Sequence, residues 1–292
     1  HRSPHKETAK GQVTLFRGPR PALFLAVLTG AANLTGKEPK SRNEIRVDFD
    51  AHPEGAYEMR IFRRDWADAS LGQFHRRAAI TAEPKGKSLR VTYPKGSLGP
   101  SEGGGVFRQK LTPLDSRRLS YRVLFEKGFD FRRGGKLPGF AGGKANTGGN
   151  KATGDGWSAR YMWDNKGSLS LYLYHLDQKT DYGDRFQLKA KAIPGQWLQL
   201  EQEVSVNAPG KENGSIRIRI DGKLALDKQG LNLRGKVKHD VALVDQFLFS
   251  TFHGGGTRDW APRRDSHARF DDFVLKFAPS LSRLCPSVSG VP

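Results

Sequence analysis

Four polar side chains draw together if residues 157–175 fold as their pattern dictates. Residues 157–163 and 168–175 are aromatic and apolar runs split by Asn165, Lys166 and Gly167. That is a β-hairpin signal, with Gly167 suited to the left-handed position of a three-residue loop. Alternation puts Trp157, Ala159, Tyr161 and Trp163, then Leu169, Leu171 and Leu173, on one face. Ser158 and Arg160, then Ser170, Tyr172 and Tyr174, take the other. Pairing Asp164 with Ser168 sets Arg160 opposite Tyr172 and Ser158 opposite Tyr174. A slip of one residue would set leucines against Arg and Ser, so the apolar pattern selects the register. A planar guanidinium matches a carboxylate. Phenols beside cations can take or give a proton. The group therefore suits acid–base chemistry on an anionic substrate, although a solvated sheet face has the same composition.

Just upstream, Gly134 to Gly143 read GGKLPGFAGG. The glycines suggest a loop folded tightly over a groove, carrying Lys136. The stretch lacks the G-K-[ST] ending and following helix of a phosphate-binding loop. KLPG (Lys136 to Gly139), WSARYMW (Trp157 to Trp163) and LYLY (Leu171 to Tyr174) resemble the family-14 polysaccharide lyases, which cleave alginate and related polyuronates. So do VTYPKGSLGPSEGG (Val91 to Gly104) and FSTFHGGG (Phe249 to Gly256). The similarity runs in order over residues 88–277. It implies an all-β, single-domain β-jelly roll with a substrate groove. The implied catalytic set is the Lys of KLPG, the Ser and Arg of S-x-R and both Tyr of Y-x-Y. Those stand here as Lys136, Ser158, Arg160, Tyr172 and Tyr174. His253 is expected either to line the groove and bind substrate or to anchor the Gly-rich turn after it.

A polyuronate lyase removes the proton on C5, beside the C6 carboxylate, and expels the oxygen on C4. The ionised carboxylate makes that proton poorly acidic, so cations and hydrogen-bond donors must hold it as charge develops. Arg160, Lys136 and Ser158 are the residue types for that task. The two tyrosines then serve as base and acid, with the cations expected to lower the pKa of the base. A glycosidase would need two carboxylates flanking the bond. Asp48/Asp50 and Asp271/Asp272 exist, but none falls on the Ser/Arg/Tyr face, and Asp271-Asp272 reads as structural. Eight histidines without H-E-x-x-H spacing, and one cysteine (Cys285), provide neither a metal site nor an intrachain disulfide. No cofactor is expected.

The elements that must position these groups read as strands. They are Ile45 to Phe49, Ser88 to Tyr93, Leu119 to Phe125, Leu198 to Val206, Ser215 to Asp221, Phe247 to Phe252 and Arg269 to Phe277. Ile216, Ile218 and Ile220 alternate with Arg217 and Arg219, and Asp221-Gly222 turns a hairpin toward Lys223 to Leu226. Arg64 to Leu71 reads as a short helical turn. No long periodic helix appears, and many short strands point to a sandwich or barrel. The 292 residues fit one domain over 44–278. Residues 1–40 form a targeting or disordered segment, with 17–32 resembling a signal peptide too short to span a bilayer. Residues 279–292 form a Ser/Pro-rich tail.

Forty-nine Lys and Arg against 30 Asp and Glu leave a charge of +19, a surface that concentrates polyanions. The basic residues are scattered pairs rather than a tail or helix, and no nucleic-acid-binding signature is present. Charge alone would suit nucleic acid, an anionic membrane or an acidic polysaccharide; the family resemblance implies the last, alginate or glucuronan, met by a secreted or periplasmic monomer. The alternative is a non-catalytic jelly-roll module that binds such polymers.

Overall fold

The computed structural model describes residues 44–72, 74 and 76–278. These fall in one compact unit, Lys40–Pro292. The proposed signal segment, the C-terminal tail and Cys285 lie outside the described residues. In chain order the elements are β1 (Ile45–Val47), β2 (Gly55–Ala56), α1 (Met59–Asp65), β3 (Ala69–Leu71), β4 (Ala78–Ala82), β5 (Lys87–Tyr93), α2 (Gly99–Glu102), β6 (Gly105–Leu114), β7 (Ser116–Phe125) and β8 (Gly134–Gly143). There follow β9 (Gly156–Asp164), β10 (Ser168–Tyr174), β11 (Asp184–Lys191), β12 (Trp197–Ser205), β13 (Gly214–Ile220), β14 (Lys223–Leu231), β15 (Val244–His253) and β16 (Ser266–Phe277).

Among the described residues the strands form two antiparallel sheets. A nine-stranded sheet runs β14-β13-β12-β7-β16-β5-β4-β2, with β1 added beside β16. A seven-stranded sheet runs β11-β10-β9-β8-β15-β6-β3. Sequence neighbours are often not sheet neighbours, the long-range pairing of a jelly roll. Each sheet buries alternate residues in the shared core: Leu119, Tyr121, Val123 and Phe125 from β7, and Phe247 and Phe249 from β15. Such alternation is what period-two geometry requires of a sheet with one dry face. Rings interlock across the core, with Trp66 stacked on Phe247 at 5.4 Å and Tyr121 on Phe273 at 5.2 Å.

Two local expectations change. Arg64 to Leu71 is not a helical turn: the helix α1 lies earlier, burying Ile61 and Phe62, and Ala69–Leu71 pairs with β6 as β3. The apolar spacing Ile61, Phe62, Trp66 is the helical one, so the core decided the helix position. The second change is larger. GGKLPGFAGG is not a loop but the central strand β8, between β9 and β15. Asp271 and Asp272 sit on the nine-stranded sheet at a bulge in β16, where Arg122 pairs with both. Burial pushes the Asp271 carboxyl up to about 6.

Candidate active site

The hairpin β9–β10 has the register that alternation selects. Arg160 pairs with Tyr172 and Ser158 with Tyr174. Gly167 closes its turn at φ +79°, where a Cβ would be strained. Trp157, Ala159, Tyr161 and Trp163 are fully buried in the core, and each Trp has a partner: Trp157 Nε1 donates to the Ala242 carbonyl at 2.8 Å and Trp163 Nε1 to Phe131 at 3.1 Å.

Strand β8 explains its own glycines. A Cβ on Gly135 would lie 2.1 Å from the Trp163 ring, and one on Gly139 2.0 Å from the Ala159 carbonyl oxygen. The glycines are therefore clearance for the tryptophan strand rather than hinges. The register shifts between Leu137 and Gly139, leaving Pro138 at a bulge where its missing N–H costs no ladder bond. The bulge lets Leu137 and Phe140 both face the core while Lys136 faces out. Gln202, fully buried on β12 of the opposite sheet, repairs the ladder there. Its Oε1 accepts from the Phe140 N–H at 3.0 Å and its Nε2 donates to the Ala159 carbonyl at 3.0 Å.

The outer face of the seven-stranded sheet thus carries Lys136 from β8, Arg160 and Met162 from β9, Tyr172 from β10 and Arg185 from β11. They line a cavity of about 530 Å³, rimmed by Thr147, Tyr182, Phe252, Gly254 and Trp260. The Lys136 ammonium lies 4.7 Å from the Tyr172 ring centroid and 3.4 Å from Met162 Sδ. The Arg160 guanidinium lies 5.8 Å from the same ring. Arg160 is only 4% exposed, and its Nε has no hydrogen-bond partner among the described residues. No carboxylate forms an ion pair with Lys136, Arg160 or Arg185 among the described residues.

Ser158 and Tyr174 lie behind this cavity, fully buried. Ser158 Oγ donates to the Asn146 carbonyl at 2.6 Å. The Tyr174 hydroxyl accepts from the Gly149 N–H at 3.0 Å and meets the Tyr172 hydroxyl at 3.2 Å. Both side chains hold the loop between β8 and β9 against the site. His253 lies apart: its ring packs in the core, stacked on Phe129 at 5.6 Å, with Nε2 2.7 Å from the Asp130 carbonyl. Burial pulls its pKa down to about 4. Parity carried this information, because His253 shares the face of Phe247 and Phe249 while Phe252 takes the groove side. The sequence motifs do not point to Arg185 or Met162. Met162 sits two residues past Arg160 on the same face, and Arg185 alternates with the half-buried Phe186 and the buried Leu188 in β11, opposite Tyr172.

Electrostatics depart from expectation. Burial, then the Arg160 and Arg185 charges, pulls the Lys136 pKa down to about 7. Burial lowers that of Arg160 to about 10, so it stays charged at neutral pH. The Tyr172 phenol moves up rather than down. Burial leads, the hydrogen bond and charge of Tyr174 add to it, and Arg160 only partly offsets them. No group of three or more His, Cys, Asp or Glu side chains that could hold a metal ion occurs among the described residues.

Comparison with known proteins agrees with this geometry. The family model for polysaccharide lyase 14 matches residues 81–273. No curated protein sequence matches the chain. Among solved structures, alginate lyase Aly36B, as a Lys/Tyr double variant holding an alginate tetrasaccharide, is 26% identical with a TM-score of 0.73, over 81% of this chain and 97% of that one. The PL-14 alginate lyase of Aplysia kurodai is 23% identical with a TM-score of 0.68, over 80% of this chain and 98% of its own. Alginate lyase vAL-1 from Chlorella virus is 21% identical with a TM-score of 0.61, over 77% and 99%; these last two matches show the shared fold. With a motif set in sequence order, a two-sheet fold and a family model covering most of the described residues, this chain belongs to the polysaccharide lyase 14 family and is a polysaccharide lyase.

Proposed function

We propose that the chain cleaves alginate by β-elimination in the cavity formed by Lys136, Arg160, Tyr172 and Arg185. The observation that carries this reading is Arg160: a buried guanidinium with an unpartnered Nε, beside two further cations that lack carboxylate partners. Burying a cation without a counter-charge is costly, and a uronate carboxylate would supply one. Aly36B was solved with alginate oligosaccharides as Lys/Tyr and Lys/Met double variants. In this chain a lysine, a methionine and a tyrosine also meet, at Lys136, Met162 and Tyr172.

In the proposed reaction Arg160 and Arg185 hold the C6 carboxylate and stabilise the charge that builds on it. A proton acceptor works best with a pKa near the working pH. Lys136 meets that condition, while the Tyr172 phenol, with its raised pKa, is kept protonated. The roles therefore divide differently from the all-tyrosine expectation. Neutral Lys136 takes the C5 proton, the C5 electron pair forms the C4=C5 double bond, the C4–O bond breaks, and Tyr172 gives its proton to the departing oxygen. Ser158 and Tyr174 position the loop that closes over the site.

The test is ultraviolet absorbance from unsaturated uronate ends during incubation with alginate, polymannuronate, polyguluronate and glucuronan. Absorbance is expected with alginate and at least one of its homopolymers. Cleavage of glucuronan alone would reassign the substrate. Binding of alginate without any cleavage would make the chain a non-catalytic module.

A further inference from the structure

The groove does not end at the reacting residues. A second cavity of about 370 Å³ shares Thr147, Arg160 and Phe252 with the first and reaches Arg108 on β6. Its lining includes the apolar Val106, Leu248 and Phe252 and the hydroxyls of Ser70 and Ser250. A third, of about 300 Å³, continues from Arg108 to Lys110, its alternate neighbour on β6. The first two lie side by side across the strands, and the third is displaced along β6 and β15. Arg160 on β9 and Arg108 on β6 are separated by β8 and β15, three strand spacings or ~14 Å.

Arg108 is exposed and forms no ion pair among the described residues. Asp245, which lines the third cavity with it, feels the Arg108 charge but forms no ion pair with it, and is hydrogen-bonded by the Gly143 N–H at 3.2 Å and by Gln246 Nε2 at 3.0 Å. Five arginines of the nine-stranded sheet behave otherwise. Arg90, Arg118, Arg122, Arg217 and Arg269 are all paired with carboxylates at 3.0 Å or less. A cation left unpaired at the far end of a partly apolar trough matches a polymer with apolar ring faces and a carboxylate on every unit.

We propose that Arg108 is a distal carboxylate subsite, holding a uronate two to three units from the one bound at Arg160. The inference rests on the alginate reading above and adds the direction and reach of the bound chain. Because the groove extends past the reacting residues toward β6 and, through Arg185 and Tyr182, toward β11, the substrate would lie across the site and be cut internally.

Binding separates this inference from the lyase reading. Calorimetry would compare Lys136→Ala, which blocks turnover, with Lys136→Ala/Arg108→Gln, using an alginate disaccharide and an alginate hexasaccharide. The disaccharide is too short to engage both arginines. Losing one charge-assisted contact should weaken hexasaccharide binding ~10-fold and bring its preference over the disaccharide down by the same factor. Arg108→Lys should restore part of it. Lys223→Gln, which removes an exposed charge at a turn of the other sheet, should leave the preference intact. An unchanged preference in Arg108→Gln, or an equal drop in Lys223→Gln, would overturn the proposal. If the wild-type chain cleaves no polyuronate yet Arg108→Gln still loses the hexasaccharide preference, the lyase reading fails and the subsite stands.

Discussion

At the residue scale, the proposed chemistry turns on Lys136. The kcat/KM profile reports the titrating groups of the free enzyme. If neutral Lys136 is the base, kcat/KM should rise as pH passes through about 7, because the amine must lose its proton to act. A fall through the same pH would mean that the ammonium holds the carboxylate, and would return the base role to a tyrosine. Lys136→Met should cost roughly 10²- to 10⁴-fold in turnover. The same change should stabilise the fold. The folded pKa lies below that of an unfolded lysine, so folding is opposed by the proton at any pH below the unfolded value of 10.5. Removing the charge relieves this penalty, so the variant should melt at a higher temperature at pH 6, with the gain shrinking as pH rises from about 7 toward 10. A lower melting temperature at pH 6 would mean that the ammonium's contacts with Met162 and the Tyr172 ring outweigh its desolvation.

At the element scale, β8 and β9 are held in their unusual register from across the core. The bulge at Pro138 leaves the Phe140 N–H and the Ala159 carbonyl to Gln202, which bonds both. Gln202→Leu keeps the volume and strands two buried backbone groups. Each such loss costs about 1–3 kcal/mol, so destabilisation of ~3 kcal/mol is expected by denaturant unfolding. Because Ala159 adjoins Arg160, kcat should drop as well, even under conditions where the variant is fully folded. Native stability in this variant would show that β8 and β9 satisfy those groups by themselves.

At the scale of the whole molecule, charge is sorted between the two sheets. On the nine-stranded sheet Arg90, Arg118, Arg122, Arg217 and Arg269 pair with Glu83, Glu126, Glu203, Asp227 and Asp271, whereas the groove leaves Lys136, Arg160, Arg185 and Arg108 without ion pairs among the described residues. Those pairs cancel internally and add nothing to the +19, whereas the unpaired arginines of the groove count toward it in full. With Lys136 neutral in the reacting form, a polyanion that engages about three cations, Arg160, Arg185 and Arg108, should show a log–log slope of KM against salt near 2, by analogy with single-stranded nucleic acids. An alginate disaccharide should show a shallower slope. Equal slopes for polymer and disaccharide would mean that the groove cations act one at a time.

Some of this protein follows from its sequence alone. The pairing of Arg160 with Tyr172 and of Ser158 with Tyr174 does, because a period-two apolar pattern admits one register when one face must stay dry. Parity likewise sends His253 to the core with Phe247 and Phe249. The rest depends on which strands become neighbours. GGKLPGFAGG looks like a loop until Trp163 lies against Gly135 and Ala159 against Gly139, and then its glycines are what a strand needs there. The acidity of Lys136 appears only when burial and two arginines from β9 and β11 surround it. The alignment of Arg108 with Arg160 crosses four strands far apart in the chain. Periodicity is a property of a segment and is written in it. Clearance, desolvation and the distance between charges belong to pairs of segments, and only the packed sheets set them.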